Sequence, residues 1–388
     1  MKLEKAIEFN PKEIVKKDTI LKKIGMERLT PFYKFIQGYE YEKYFGGSKF
    51  RNNDTIMARI TPCLENGKTA YVNILEPNEI AFGSTEFIVL RNRVGITIPE
   101  YVYYLATSTE FRKKAISLMS GTSGRQRVQL EPLKLEEINV PSIKEQYKIV
   151  KILSKIDKKI KLNNEINNNL EEQLRLLFEE NILKKLSDEN TYECNLYDQF
   201  DVIDNRGKTP PLIKYSKYPI IDVKVLSGTE RVINYSNCLK YVNKETYDTF
   251  FRSGHPKLYD TLLSTVGSLA EFKIYLENIG TIAQNVVALR PKNEYPLFMY
   301  QYILSLRQRL TSYDIGSVQP SIKVTQFMKE VIKMPNDKEI IYKFENLAKA
   351  NTLKMKNLMM ENRYLEQLRD ALLPKLMNGE INLDNVEV

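Results

Sequence analysis

Asp260, Glu271 and Lys273 stand in the order D…ExK, which in metal-dependent nucleases brings an ion and a lysine to the scissile phosphate. The stretch after Asp54, in the other half of the chain, reads Glu65-Asn66-Gly67-Lys68 and does not keep that spacing. In a chain that is 28% charged, one such match arises by chance, so two strand residues are expected here rather than a metal site. Gly67-Lys68-Thr69 and Gly207-Lys208-Thr209 end like phosphate-binding loops. Such a loop needs a further glycine five residues earlier, so that backbone amides can cradle the phosphate. Pro62 and Val202 occupy those places, which excludes nucleotide hydrolysis of that type. His255 is the only histidine and sits in the turn "RSGHPKLY", so no site needing two histidines can form. Cys63, Cys194 and Cys238 lie far apart and suggest neither a zinc knuckle nor a disulfide frame. No Asn/Asp-Pro-Pro-aromatic motif and no glycine-rich strand–turn suited to S-adenosylmethionine is present. The expectation is a chain with no catalysis, metal or cofactor of its own.

The chemistry that remains is that of a binding surface. In "GTSGRQRVQLEP" (121–132), flexible Gly and Ser lead into Arg125, Gln126 and Arg127. Arginine binds phosphate or pairs with both acceptors of guanine, and glutamine pairs likewise with adenine. The related stretch "GSVQPSIKVTQF" (316–327) keeps a Gly and supplies Gln319, Ser321 and Lys323. "GSKFRNND" (47–54), with Lys49 and Arg51, and "DNRGKTPP" (204–211), with Arg206 and Lys208, are further basic, turn-rich segments. A net charge of +9 and a pI near 9.0 favour an anionic partner, of which nucleic acid is the usual one. A lysine-rich background composition gives the same numbers, and each segment taken singly is equally an exposed loop. Their recurrence in both halves makes the set a candidate surface for double-stranded DNA.

These segments are carried by a chain that repeats itself. Glu-Gln-Leu-Arg occurs at 172–175 and at 366–369, and the same 194-residue offset relates Pro141 to Pro335, Leu153 to Leu347 and Asn163 to Asn357. Upstream the offset drifts: Asp54-Thr55 matches Asp260-Thr261, and Arg91 matches Arg290. A constant register over some 35 residues implies one rigid element, and the pattern is helical. Ser142 with Glu145 forms a capping box, and Asn336 with Glu339 stands in the same places. From there a continuous helix is expected to Leu186. Leu153, Ile156, Ile160, Leu170, Leu174 and Leu177 follow steps of three and four with asparagines in the middle, a heptad seam. In the second copy Leu347, Leu358, Leu365 and Leu368 are the expected seam, and Pro374 is expected to kink or end the helix. Ahead of each helix, short β-branched runs such as "DTIMARI", "TEFIVLR", "DTLLSTV" and "NVVALR" predict strands, and "PEYVYYLATSTEF" and "PLFMYQYILSL" predict helices. The fold class is therefore α+β, with globular parts at 1–141 and 188–335 and long helices at 142–187 and 336–388. Two antiparallel helices would put the globular parts at opposite ends about a pseudo-two-fold axis.

A chain of 45.3 kDa accommodates two to four domains. No apolar run reaches the ~18 residues of a membrane span. Met1-Lys-Leu-Glu-Lys-Ala-Ile-Glu lacks the apolar stretch of a signal peptide, and the expected compartment is the cytoplasm.

Taken together, "FRNNDTIMARITPCLENGK", "FGSTEFIVLR", "SGTSGRQRVQL", "DNRGKTPP", "DTLLSTVGS", "IGSVQPSI", "VPSIKEQYKIVKILSKIDKKI" and "LEQLRDALLPKLMNGEI" resemble the specificity subunit of a type I restriction–modification system. The resemblance runs essentially end to end. It implies that each globular part is a target recognition domain reading one half of a split DNA sequence, with the paired helices as a coiled-coil spacer. It also implies that two methyltransferase subunits dock on the chain and that restriction subunits can join. S-adenosylmethionine would then belong to the methyltransferase partners. "DNRGKTPP" has no clear counterpart in the first half, where "QGYEYEKYFGGSKF" stands instead, so the two domains should read unrelated half-sites. A reading from a different class is a non-catalytic helical scaffold whose end domains bind proteins.

Overall fold

The computed structural model describes residues 1–122, 124–187, 190–314 and 320–384. The chain forms two units, Met1–Leu162 with Asn362–Val388, and Asn163–Glu361.

The first unit contains β1 (Ile7–Phe9), β2 (Ile20–Ile24), β3 (Glu40–Lys43), β4 (Ser48–Phe50), β5 (Thr55–Ala58), β6 (Thr69–Tyr71), β7 (Ala81–Gly83) and β8 (Phe87–Asn92), then a short hairpin of β9 (Met119–Ser120) and β10 (Arg127–Val128). The eight form two four-stranded sheets, ordered β1-β8-β5-β6 and β3-β2-β7-β4. Successive strand residues point to opposite faces, and the sequence is apolar on both. Met57, Ile88 and Leu90 enter one core with Tyr101 and Leu105 of the helix Pro99–Thr107. Ile56, Phe87 and Val89 enter the other with Ile24 and Phe50 of the second sheet. This is why "TIMA" and "FIVL" read as unbroken apolar runs rather than alternating ones.

The second unit repeats the plan with β11 (Thr191–Asn195), β12 (Phe200–Asp204), β13 (Ile220–Ile221), β14 (Thr261–Ser264), β15 (Phe272–Ile274), β16 (Thr281–Ile282), β17 (Val286–Pro291) and β18 (Val331–Pro335). Its main sheet, β12-β17-β14-β15, has the order and register of the first: Thr261 lies opposite Leu289 as Thr55 lies opposite Leu90. Leu263, Val287 and Leu289 pack with the helix Pro296–Ser305, and Leu262, Val286 and Ala288 pack with Ile221 and Ile282 on the other face. The second sheet is reduced here to the parallel pair β13–β16. The pairing also supplies the counterpart that sequence comparison lacks. Val202 faces Leu289 as Phe9 faces Leu90, so "DNRGKTPP" leaves β12 where Pro11-Lys12-Glu13 leaves β1.

The matched Asp and Arg residues clamp each main sheet. Arg91 Nε and Nη2 donate to the two oxygens of Asp54 at 2.6 and 2.7 Å, and Arg290 does the same to Asp260 at 3.2 and 2.9 Å. Each Asp also accepts the amide three residues before it, from Arg51 at 2.8 Å and from Lys257 at 2.7 Å, which closes the turn into the strand. Burial pushes both carboxyl groups above the ordinary carboxylate range, against the pull of the arginines.

Two long helices run through the units, Ile143–Asn181 and Lys338–Met377. The first ends before Leu186, and residues Leu183–Ser187 tighten into a 3-10 turn instead. Ser142 and Glu145 make the capping box, with the Ser142 amide donating to Glu145 at 2.8 Å. The second start differs from expectation: Asp337, not Asn336, accepts the Glu339 amide. Pro374 lies inside the last turn, where the helix runs on to Met377 and Gly379 follows at φ +71°. In each unit the segments pair antiparallel. Asp157 meets Arg369 in the first, while in the second Asn163 meets Glu361 and Phe178 meets Phe344.

Leu153, Ile156, Ile160 and Leu174 are buried as the seam requires, and Leu170 and Leu177 are half-buried. Leu358 is buried and Leu365 half-buried, but Leu347 and Leu368 face solvent. The buried stripe of the second helix instead runs through Ile341, Phe344, Ala348, Thr352, Met355, Leu358 and Asn362, and shares only Leu358 with the expected seam. The reason is that this helix buries its stripe against its domain as well as against the other helix, as the shared core of Phe344 with Phe298 shows. Asn163 is fully buried while its repeat mate Asn357 is exposed.

Candidate nucleic-acid interface

In the first unit β2 and β7 run parallel, with Ile24 opposite Gly83. A Cβ on Gly83 would stand 2.3 Å from the Ile24 carbonyl oxygen, so the close approach there requires glycine. The chain then turns through Ser84–Glu86. The Glu86 carbonyl accepts the Arg59 amide at 2.9 Å, the Val128 amide donates to Arg59 O at 2.9 Å, and the Thr61 amide donates to Gln126 O at 3.0 Å. Ile60 bridges Arg127.

The second unit repeats this bond for bond. Ile221 lies opposite Ile282, and the turn is 283–285. Asn285 O accepts the Thr265 amide at 2.9 Å, the Ile322 amide donates to Thr265 O at 2.8 Å, and the Gly267 amide donates to Pro320 O at 3.1 Å. Val266 bridges Ser321. These bonds make Glu86 the mate of Asn285 and Arg127 the mate of Ser321. They also extend the helices' 194-residue register into these loops, one residue away from an alignment that matches Gly121 with Gly316.

A cleft opens at this place in each unit. The first, of about 390 Å³, is lined by Lys23, Glu42, Lys43, Phe45, Ser84 and Thr85. The second, of about 430 Å³, is lined by Asn205, Arg206, Lys208, Lys240, Gln284 and Asn285. Lys23 is held by Glu42 at 2.6 Å, so one lining cation of the first cleft is neutralised. In the second, Lys240 is held by Asp222 at 2.7 Å and Arg206 by Asp204. Lys208 is exposed and makes no ion pair among the described residues.

The sequence-derived candidates divide accordingly. Arg206 and Lys208 lie in the second cleft. Ser321 and Lys323 follow beside it through the Val266 bridge, with Lys323 exposed at the start of a helical turn. Gln319 lies outside the described residues. Arg125 is exposed at the tip of the β9–β10 hairpin, and Gln126 is half-buried with its carbonyl engaged by Thr61. Arg127 is already committed: its Nε and Nη2 donate to Glu86 at 2.6–3.0 Å. Lys49 lies opposite Phe82, near this turn, but its ammonium donates to the Glu13 carbonyl, and Arg51 pairs with the Glu13 carboxylate beside Arg91. Sequence reading missed Glu86, Gln284, Asn285 and Lys240. The drifting offset that pairs Arg91 with Arg290 also pairs Glu86 with Asn285, and that was the available signal.

The D…ExK residues do not converge. Asp260 is held by Arg290, Glu271 by Arg307 at 3.0 Å, and Lys273 by Glu230 at 3.3 Å. His255 lies flat on Tyr247 at 3.7 Å between ring centres and bonds to Thr281 and the Tyr247 carbonyl, and its burial lowers its pKa. No helix among the described residues is long and apolar enough to cross a membrane.

Residues 4–172 match the family model described as the type I restriction modification DNA specificity domain. Over 85% of its length the chain is 26% identical to the type I restriction enzyme HindI specificity subunit of Haemophilus influenzae, covering 87% of that protein. It is 25% identical to the MjaIX specificity subunit of Methanocaldococcus jannaschii, over 74% of this chain and 70% of that one. The crystal structure of a type I restriction–modification S subunit from M. genitalium shares the fold, with a TM-score of 0.53 over 97% of this chain and 95% of that one, at 18% identity. With both units built on one plan, the chain is similar along most of its length to the specificity subunits of type I restriction enzymes, and its first part matches their DNA specificity domain.

Proposed function

We propose that this chain is the DNA-reading subunit of a type I restriction–modification complex. Residues 1–141 and 188–335 each read one half of a bipartite target, and the segments 142–187 and 336–388 set the unread gap between the halves. Two methyltransferase subunits carry S-adenosylmethionine and the chemistry, restriction subunits can join them, and the chain itself is not catalytic. The complex acts in the cytoplasm, where its DNA is. The observation that carries this reading is the turn cluster that recurs bond for bond in both units beside an open cleft, with different side chains in each. Protein sites that read base edges need the same backbone placement and variable side chains.

The test is to map methylation genome-wide in cells carrying the chain with its methyltransferase subunits. One bipartite sequence with a fixed gap is expected. Inserting four residues after both Asn163 and Glu361 adds about 6 Å of helix, and at ~3.4 Å per base pair the gap should grow by one or two base pairs with both half-sites kept. Two-residue insertions turn the helix by roughly half a circle and should abolish methylation. No bipartite site in the wild type would sink the reading; an unchanged gap in the four-residue variant would sink the spacer part of it.

A further inference from the structure

Each unit hides a cation at the same place. The Tyr71 amide donates to Lys34 O at 2.9 Å and the Ile274 amide to Arg231 O at 2.7 Å, and each pair sits beside a parallel bridge, Phe35 with Tyr71 and Val232 with Ile274. Lys34 and Arg231 are therefore structural mates, although no sequence offset pairs a lysine with an arginine there. Lys34 is 2% exposed and Arg231 0%. Both side chains reach the fifth and sixth residues of the domain helix that begins at Pro99 or Pro296. Lys34 lies over the Tyr103 and Tyr104 rings and donates to Tyr104 Oη at 3.2 Å, and Arg231 lies over Tyr300 and donates to Gln301 at 3.0 Å.

From there each network reaches both long helices within its unit. In the first, Tyr104 donates to Asp157 at 2.7 Å and Arg369 donates to the other Asp157 oxygen at 3.1 Å. In the second, Arg231 grips both oxygens of Glu171 at 2.6 and 2.8 Å and donates to Thr352 at 3.3 Å. Both acids lie on the helix Ile143–Asn181, but they stand differently to their domains in the chain: Asp157 follows its domain and Glu171 precedes its own. The repeat mates of these acids are Asn351 and Leu365, which cannot do the same work. One connection is thus made twice by different residues.

Burying such charges gains little stability over an apolar contact of the same shape, because desolvation offsets the attraction. An apolar contact, however, has no direction, whereas a two-bond carboxylate–guanidinium grip has one. We propose that Lys34 and Arg231 are positioning residues that lock each recognition domain at one orientation on the helices of its own unit, and so sharpen the gap at which the two half-sites are accepted. This rests on the functional reading above.

The experiment maps methylation in cells carrying the full chain and its methyltransferase subunits, for Tyr104→Phe, Glu171→Gln, Arg231→Lys and Arg231→Met. The ratio of methylation at the native gap to that at gaps one base pair longer or shorter should fall about tenfold in Glu171→Gln and Arg231→Met, with the bases of both half-sites unchanged. Arg231→Lys should fall less, since lysine keeps the charge and loses the fork. A general loss of stability would lower methylation at all gaps alike and leave that ratio intact. An unchanged ratio in variants that accumulate, or changed half-site bases at an unchanged gap, overturns the proposal. Should Arg231→Met fail to accumulate, Tyr104→Phe decides, because it removes a single oxygen from the network. If the wild type methylates no bipartite sequence, the functional reading has failed and not this one.

Discussion

In the first unit Glu86 takes three hydrogen bonds from Arg127, so both charges beside the cleft are spent on each other. At the same two places in the second unit stand Asn285 and Ser321, neither of them charged, while Lys208 lies exposed in the cleft. The backbone bonds that place these residues agree to within about a tenth of an ångström between the units, with Arg59 to Glu86 and Thr265 to Asn285 both at 2.9 Å. The main sheets share order, register and an Asp–Arg clamp. Geometry is thus held by groups away from the cleft, which frees the cleft to differ in charge and shape. Two half-sites of unrelated sequence are what such an arrangement suits.

The comparison breaks first at its frame. Asp54→Ala leaves Arg91 with the Glu13 carboxylate at 2.8 Å, and Asp260→Ala leaves Arg290 with the His255 carbonyl at 3.1 Å. Both arginines keep a quarter or so of their side chain in water, so the cost should sit at the low end for a broken buried pair, about 3 kcal/mol. Hydrogen exchange of β5 and β8, and of β14 and β17, should show a loss confined to the mutated unit and larger in the second, where the arginine keeps a carbonyl in place of a carboxylate. A loss as large in the first unit would mean that Glu13 does not support Arg91.

A smaller effect sharpens the charge difference. Arg125→Ala and Lys323→Ala should each lower the slope of log affinity against log salt by about 1. Arg127→Ala should leave it nearly unchanged, because Glu86 offsets that charge, and Glu86→Gln should steepen it. A loss at Arg127 equal to that at Arg125 would show that the clamp opens on DNA.

The smallest effect is one of pH. In the first unit a neutral amide serves the start of the domain helix, with Ile98 N donating to Gln146 at 2.9 Å. In the second a buried carboxylate serves it, and the Leu297 and Phe298 amides donate to Glu345 at 2.9 and 2.8 Å. Burial raises the Glu345 pKa, and these amides only partly restore it. The folded unit therefore holds this proton more tightly than the unfolded chain does. The stability it brings is present below the ordinary carboxylate pKa and is lost as pH rises through the raised one. Denaturation of the second unit between pH ~4 and ~7 should show that slope reduced in Glu345→Gln. No difference in slope would place Glu345 in ordinary solvent.

Strands and long helices were legible because their signals are local: unbroken β-branched runs, a capping box at Ser142, a 194-residue offset kept along the helix. Leu347 and Leu368 were misplaced because a heptad pattern assumes one partner helix, whereas this helix buries Phe344 and Ala348 against its domain. Of the candidate surface, Arg125, Arg206, Lys208 and Lys323 could be picked out as basic residues in turns. What composition could not reveal is that Arg127 has a partner 41 residues away, or that Lys49 and Arg51 bend back to Glu13. Lys34 and Arg231 were invisible for a related reason. Each network draws on three elements, the domain helix and both long helices, so no local pattern marks it.

The second unit is one uninterrupted stretch, Asn163–Glu361, while the first is closed by residues from 362 onward. During synthesis, then, the unit begun first is finished last. Until Arg369, Leu373, Leu376 and Met377 emerge, Asp157 lacks its arginine and the core around Leu153 and Tyr101 lacks part of one wall. The second unit has by then been complete for some while. A stop codon just after Glu361 would spare the later-encoded unit and wound the earlier one, so damage at the downstream end of the reading frame is felt in the upstream unit.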